Sequence, residues 1–170
     1  MQKNKYLKEL SDEFFELTKI ENSNDELQLE EVNLSNLLTE AVLEQHSWIA
    51  DKNIATDFEI SDGIMIQTDV HCLTRILNNL MSNAQKYTVD SFGVKLKQDG
   101  DWVVLCVSNT LADSSSLDID RVFEPFYRMD ARTAGGSGLG LYVVKLLCDR
   151  LGWSVGAEMN DTVFTVTILI

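Results

Sequence analysis

The apolar positions change period several times along the chain, and each change predicts an element. Residues 3–21 carry a narrow seam in which Leu7, Leu10, Phe14 and Leu17 follow 3-4-3 spacing. That spacing fits a coiled-coil stripe or a helix lying on its own domain, and two heptads leave both open. Phe15 and Ile20 fall off the seam, which predicts more than one apolar neighbour. Leu27 to Val32 alternates like a half-buried strand, and Asn33-Leu34-Ser35 opens a helix to about Ala50. Its predicted buried side is Leu34, Leu37, Leu38, Ala41, Val42 and Ile49. Ile54–Ile60 and Ile64–Gln67 read as strands on either side of a turn at Gly63. A long helix follows from Asp69 to about Tyr87, with a core stripe of Leu73, Ile76, Leu77, Leu80 and Ala84. Gly93–Lys97 and Trp102–Val107 read as a hairpin around Asp99-Gly100.

Residues 109–137 lack periodicity except for one helical turn near Asp120–Phe123. A helix is predicted from Leu139 to Leu151, with Leu139, Tyr142, Val143, Leu146 and Leu147 on one face. The chain then ends in a strand in which Phe164, Val166, Ile168 and Ile170 alternate with Thr165, Thr167 and Leu169. Helices and antiparallel hairpins interleave without βαβ regularity, so the pattern predicts an α+β two-layer sandwich.

Composition narrows the function. Of 170 residues, 45% are hydrophobic and 24% charged, the balance of a well-cored globule. Lys and Arg number 14 against 27 Asp and Glu, a net charge of −13, which excludes non-specific nucleic-acid binding. An anionic ligand must therefore be held by local positive charge or backbone N–H groups against the overall field. No apolar run approaches the roughly 18 residues that span a bilayer, which places this piece outside the membrane. The start, MQKNKYLKEL, has no signal-peptide core. Cys72, Cys106 and Cys148 show neither metal spacing nor a disulfide framework, which favours a reducing cytoplasm.

Two segments carry candidate chemistry. On the helix from Asp69, Arg75, Asn79, Asn83 and Lys86 fall at i, i+4, i+8 and i+11, one polar face beside the core stripe. Such a face is either solvated, or it offers amide oxygens to a hard cation and positive charge to phosphate. The second segment is Gly135-Gly136-Ser137-Gly138-Leu139-Gly140-Leu141, running into the next predicted helix. It reads as a loop ending in a cap, or as a backbone cradle that brings an anion to the positive end of the helix. It lacks the Gly-Lys-Ser/Thr ending of a Walker loop. It also lacks the preceding strand and the last glycine of a dinucleotide-binding fingerprint.

Together with RVFEPFYR (residues 121–128), NNLMSNAQKYT and GGSGLGLYVVK resemble three motifs of the ATP-binding domain of bacterial sensor histidine kinases. Those kinases belong to the Bergerat-type ATPases, with gyrase, Hsp90 and MutL. The three segments look like the N box, F box and second glycine box, in order. The resemblance covers essentially the whole chain. Residues 1–22, containing YLKELSDEFFELTKIEN, look like the second helix of the dimerisation hairpin, and residues 23–170 look like the catalytic domain. The implied fold is a mixed, mostly antiparallel sheet of about five strands covered by about three helices.

What the resemblance implies residue by residue is as follows. Asn83 is the Mg²⁺ ligand, with Asn79 beside it at metal and phosphate, and Lys86 meets phosphate; these three form the implied catalytic set. Tyr87 lies against the nucleotide, and Gly136, Gly138, Leu139 and Gly140 frame the phosphates of ATP. Tyr127 to Ser137 forms a lid bringing Arg128 and Arg132, with Phe123 and Phe126 packed at its base. The family usually carries D-x-G-x-G after the central strand, its Asp reading the adenine amino group. Here Asn109 stands at that place in SNTLAD and both glycines are missing. An amide accepts a hydrogen bond less strongly than a carboxylate, so weaker ATP binding is expected.

The ATPase branches of the family place a Glu base one helical turn before the metal-binding Asn. Here that residue is Asn79, which cannot take a proton, so transfer to a histidine is favoured over hydrolysis. His46 and His71 lack the H-E-x-x-x-P surroundings of a phosphoacceptor, so the acceptor helix is expected before Met1. The partners implied are that hairpin, a response regulator and, in the full-length protein, a second copy in a homodimer. The domain is expected to be cytoplasmic in a protein anchored in the membrane. Two other readings are a degenerate nucleotide-binding docking module and an anti-sigma-type serine kinase.

Overall fold

A computed structural model describes residues 11, 17, 18, 26–113, 115–129 and 136–170. The elements run β1 (Leu29–Asn33), α1 (Leu34–Leu43), α2 (His46–Lys52), β2 (Ala55–Ile60), β3 (Met65–Asp69) and α3 (Val70–Tyr87). They continue with β4 (Ser91–Asp99), β5 (Trp102–Thr110), a 3₁₀ turn (Ile119–Arg121), α4 (Gly140–Leu151), β6 (Ser154–Asn160) and β7 (Val163–Leu169).

Five strands form one sheet in the order β2-β4-β5-β7-β6, and β1 pairs with β3 in a separate two-stranded ladder. Only β2 runs parallel to its neighbour, β4; the other pairs are antiparallel. The expected α+β sandwich with a mixed, mostly antiparallel five-stranded sheet is therefore the observed one. Phe92, Val94 and Leu96 of β4, Leu105 and Val107 of β5, and Phe164, Val166 and Ile168 of β7 are buried on the side that carries the helices. Against them pack Leu73, Ile76, Leu77 and Leu80 of α3 with Val143, Val144, Leu147 and Cys148 of α4. At roughly 25 cal/mol per Å² of apolar surface, this burial dominates the stabilisation of the site's scaffold.

Asp69 caps α3, its carboxylate accepting from the His71 and Cys72 backbone N–H groups at 3.0 and 3.1 Å. At the other end the Thr88 N–H and hydroxyl both donate to the Ala84 carbonyl, at 2.9 and 2.6 Å, and the chain turns extended. The helix is thus fixed at both ends, which sets the height of its polar face.

Three expectations differ from the structure. The single helix over 33–50 is two helices, making four among the described residues. The Gln45 N–H donates to the Val42 carbonyl, and the Gln45 side chain accepts from Trp48 Nε1 at 2.9 Å. The turn swings Trp48 inward, where its ring lies 5.7 Å from that of Phe92. The β4–β5 hairpin extends further than predicted at both ends. Asp99 pairs with Trp102, so its two-residue loop is Gly100-Asp101, with Gly100 at φ +61°. The edge strand β6 has no counterpart among the predicted elements; it pairs with β7 from Ser154–Leu169 to Asn160–Val163. Most of the N-terminal seam, including Leu7, Leu10 and Phe14 and the off-seam Phe15 and Ile20, lies outside the described residues; Leu17 is buried in the core.

Candidate nucleotide site

An open cleft lies between α3, the start of α4 and the segment 117–129. Its walls divide by chemistry. Asn79, Ser82, Asn83 and Lys86 of α3, with Arg128, Ser137 and the backbone of Gly136, Gly138 and Gly140, form a polar half. Leu111, Leu117, Val122, Met129, Leu141 and Phe164 form an apolar half, with Tyr87 and Tyr127 also lining the cleft. Among the described residues no carboxylate lines it, although the chain carries 27 acidic residues. In so acidic a molecule, Lys86 and the start of α4 give this cleft a local positive potential.

The two halves of the polar wall are fitted to each other. Asn79 Nδ2 donates to the Arg75 carbonyl at 2.9 Å, one turn back on α3. Only the amide nitrogen can make that bond, so the oxygen is the free end. It lies 3.2 Å from where a Cβ on Gly140 would stand. Gly140 begins α4; its cap residue Leu139 makes no side-chain cap bond. The Leu139 N–H donates to Ser137 Oγ at 3.1 Å. The N–H groups of the first helical turn have no carbonyl within the helix to bond, and Gly140 and Leu141 line the cleft. Gly136 abuts the neighbouring wall, where a Cβ would meet Tyr87 Oη at 3.0 Å.

Gly138 has a different task. At φ +77° it occupies a conformation that L side chains avoid, and an added Cβ would lie 2.7 Å from Phe126 C and Tyr127 O. The Phe126 N–H donates to the Gly138 carbonyl at 3.0 Å, with Phe126 itself at φ +63°. The glycine loop is thereby locked to 124–128. Tyr127 is pinned further: its Oη accepts from the Asp118 N–H at 2.6 Å, and the Arg121 guanidinium lies 5.1 Å from its ring centroid.

Of the residues expected at the site, Asn79, Asn83, Lys86, Tyr87, Arg128, Gly136, Gly138 and Gly140 line the cleft. Leu139 does not; its side chain is in the core, and what it supplies is the cap position of α4. Asn109 does not line it either: it is 3% exposed, although its cross-strand partner Phe164 is part of the lining. Of the two aromatics expected at the base of the lid, Phe123 is partly buried against the core, and Phe126, at φ +63°, is 54% exposed. Arg132 and Gly135 lie outside the described residues. Ser82 is a cleft residue that the sequence reading passes over, although its spacing from Asn79 and Lys86 places it on the same helical face. The apolar lining has no local signal.

No trio of His, Cys, Asp or Glu among the described residues could hold a metal. A hard cation here would rely on amide oxygens, completed by phosphate and water. That suits Mg²⁺, which takes few protein ligands, so the donor set fits. No helix of the described residues is long and apolar enough to cross a membrane.

Known proteins share this sequence pattern and this fold. The chain is 30% identical to the sensor protein VanSC of Enterococcus gallinarum over 95% of its own length and 46% of that protein. It is 28% identical to the sensor histidine kinase YcbM of Bacillus subtilis over 98% of its length and 57% of that protein. It thus spans about half the length of these relatives. Its fold superposes on full-length ShkA in complex with AMPPNP with a TM-score of 0.81, at 24% identity, over 96% of this chain and 35% of that one. For the histidine kinase ThkA in complex with the response regulator TrrA the score is 0.77, at 20% identity, over 98% of this chain and 48% of that one. Residues 68–170, from the end of β3 through β7, match the family model described as histidine kinase-, DNA gyrase B- and HSP90-like ATPase. The chain belongs to that family.

Proposed function

We propose that this chain is the ATP-binding catalytic domain of a two-component sensor histidine kinase, passing the γ-phosphate of ATP to a histidine on a dimerisation hairpin. Residues 1–22 are the last part of that hairpin and 23–170 the catalytic domain. The observation that carries the reading is the amide- and cation-lined cleft without a carboxylate among the described residues. Hydrolysis needs a base to position or deprotonate water at the γ-phosphate, and the residues of the polar half supply none. Phosphoryl transfer to an incoming imidazole needs positioning and charge stabilisation, which they do supply.

In this reading the purine enters the apolar half beside Tyr87, and the triphosphate runs along the glycine backbone towards α3. Lys86 and Arg128 counter its charge. Asn83 and Asn79 would hold Mg²⁺, which when bound neutralises charge on the transferred group. The segment from Tyr127 to Ser137 covers the nucleotide, hinged where Phe126 and Gly138 are bonded. Arg132 adds a further positive charge on that segment. The acceptor hairpin and a response regulator are the protein partners, in a homodimeric, membrane-anchored whole protein with this domain on its cytoplasmic side.

The test supplies the domain with γ-labelled ATP, Mg²⁺ and a separately made hairpin bearing an H-E-x-x-x-P histidine. Acid-labile, base-stable label on the hairpin is the expected product. Label stable in acid on serine, or inorganic phosphate alone, would contradict the proposal.

A further inference from the structure

Asn109 presents a buried polar group without a bond. It lies on the helix-facing side of β5, paired in register with Phe92 of β4 and Phe164 of β7. Phe164 lines the apolar half of the cleft, and so does Leu111, two residues further along the same side of the chain. Between these two lining residues Asn109 is only 3% exposed, and its Nδ2 has no hydrogen-bond partner among the described residues. A buried amide N–H is costly to leave unpaired, and in a native protein such a group calls for a partner, an ordered water or a bound ligand. Among the described residues no other polar side chain is buried behind the apolar lining: Ser35, Thr68, Asp69 and Thr88 belong to the β1–β3 region and the ends of α3.

The chemistry of an amide differs from that of an acid in one respect that matters to a purine. A carboxylate only accepts, so it suits the 6-amino N–H of adenine and repels a 6-oxo group. An amide accepts through Oδ1 and donates through Nδ2. In one orientation it matches the amino N–H and N1 of adenine; flipped, it matches the O6 and N1–H of guanine or hypoxanthine. We infer that Asn109 makes the base end of this cleft permissive, so that the domain takes 6-oxopurine nucleotides alongside ATP. The inference rests on the nucleotide-binding reading above and narrows it to the purine edge. Reaching the amide requires Leu111, just past the end of the strand, to move aside from the lining. Both nucleotide types must displace it equally, so this cost does not discriminate between them.

The test is calorimetric titration of the domain, with Mg²⁺, by AMP-PNP, GMP-PNP and inorganic tripolyphosphate, repeated on Asn109→Asp and Asn109→Ala. The wild-type domain is expected to bind AMP-PNP and GMP-PNP with constants within about tenfold of each other. Asn109→Asp is expected to widen the preference for AMP-PNP by at least about tenfold, the weight of one good base-edge pair. Asn109→Ala, which folds without a buried charge, is expected to weaken both purines while leaving tripolyphosphate unchanged. A wild-type preference for AMP-PNP of about a hundredfold or more overturns the inference while leaving the nucleotide site standing. So does an Asn109→Ala variant whose purine affinities match the wild type. Failure to bind either nucleotide or tripolyphosphate overturns the nucleotide reading itself, and this inference with it.

Discussion

The Asn79 carbonyl oxygen and the Cα of Gly140 meet so closely that a methyl group on Gly140 would stand 3.2 Å from the oxygen. The contact joins the two segments, some sixty residues apart, whose composition first suggested chemistry. One provides a side-chain amide oxygen oriented by the bond of its Nδ2 to the Arg75 carbonyl, the other a helix start with a glycine first and no side-chain cap bond. Each is ordinary alone, and the site exists where they touch.

Gly140→Ala separates the site from the fold. Alanine suits a helix, so stability is expected to stay within about 1 kcal/mol of the wild type. The methyl group pushes Asn79 by a few tenths of an ångström, and affinity for Mg²⁺–AMP-PNP is expected to fall about tenfold, the order of one hydrogen bond to a charged group. Urea unfolding and calorimetry on the same preparation check both halves.

Gly138→Ala should behave in the opposite way. Its φ of +77° and the 2.7 Å approaches to Phe126 and Tyr127 mean that an added Cβ strains the backbone and breaks the lock. A loss of about 2 kcal/mol or more is expected in thermal or urea unfolding. Gly63 supplies the control. It has a similar φ of +71° but nothing within 4 Å of an added Cβ, so Gly63→Ala should cost only the roughly 1–2 kcal/mol of the left-handed conformation.

Asp69 links stability to pH. Burial alone would raise its pKa, but backbone N–H bonds from Cys72, Gln28 and His71 outweigh that, and the carboxyl titrates below its ordinary value of 3.8. Because the folded-state pKa is the lower one, the stabilisation is complete above the unfolded value and is lost as pH falls from there through the folded pKa. An asparagine at this position keeps the oxygen that accepts from His71 and Cys72 without titrating, but it sets an NH₂ donor where Oδ2 accepts from the Gln28 N–H. Asp69→Asn is therefore expected to cost about 1 kcal/mol or more at pH 7 and to flatten the acid limb of stability below about pH 4, as read from urea midpoints across pH.

Cys148 is fully buried in α4, and burial pushes its thiol up to about 12. The reactive species is the thiolate, so in the folded domain Cys148 is expected to resist iodoacetamide at about pH 8 and to react on unfolding. Peptide mapping of alkylated protein, native against denatured, decides this.

Much of this is legible in the sequence alone. The α3 stripe and its polar face follow directly from helical spacing, and the Asp69 cap announces the start. Other features are hidden because their cause lies elsewhere in the chain. In β6 the inward positions are Val155, Ala157 and Met159, with Gly156 between them. This is a weak alternation, and its strand state is decided by pairing with β7. The break between α1 and α2 depends on Trp48 reaching Phe92, more than forty residues on. The apolar half of the cleft is assembled from the end of β5, the 117–129 segment, α4 and β7, and no local pattern marks side chains that converge only after folding.

If Asn83 and Asn79 hold the cation as proposed, nucleotide binding depends on Mg²⁺. Titration of AMP-PNP into the wild-type domain and Asn83→Ala, each with Mg²⁺ and with EDTA, decides this. The expected result is wild-type binding that weakens at least about tenfold when EDTA replaces Mg²⁺, and Asn83→Ala binding that is equally weak in both conditions. Wild-type affinity indifferent to Mg²⁺, or an Asn83→Ala domain that keeps the full Mg²⁺ effect, would contradict it.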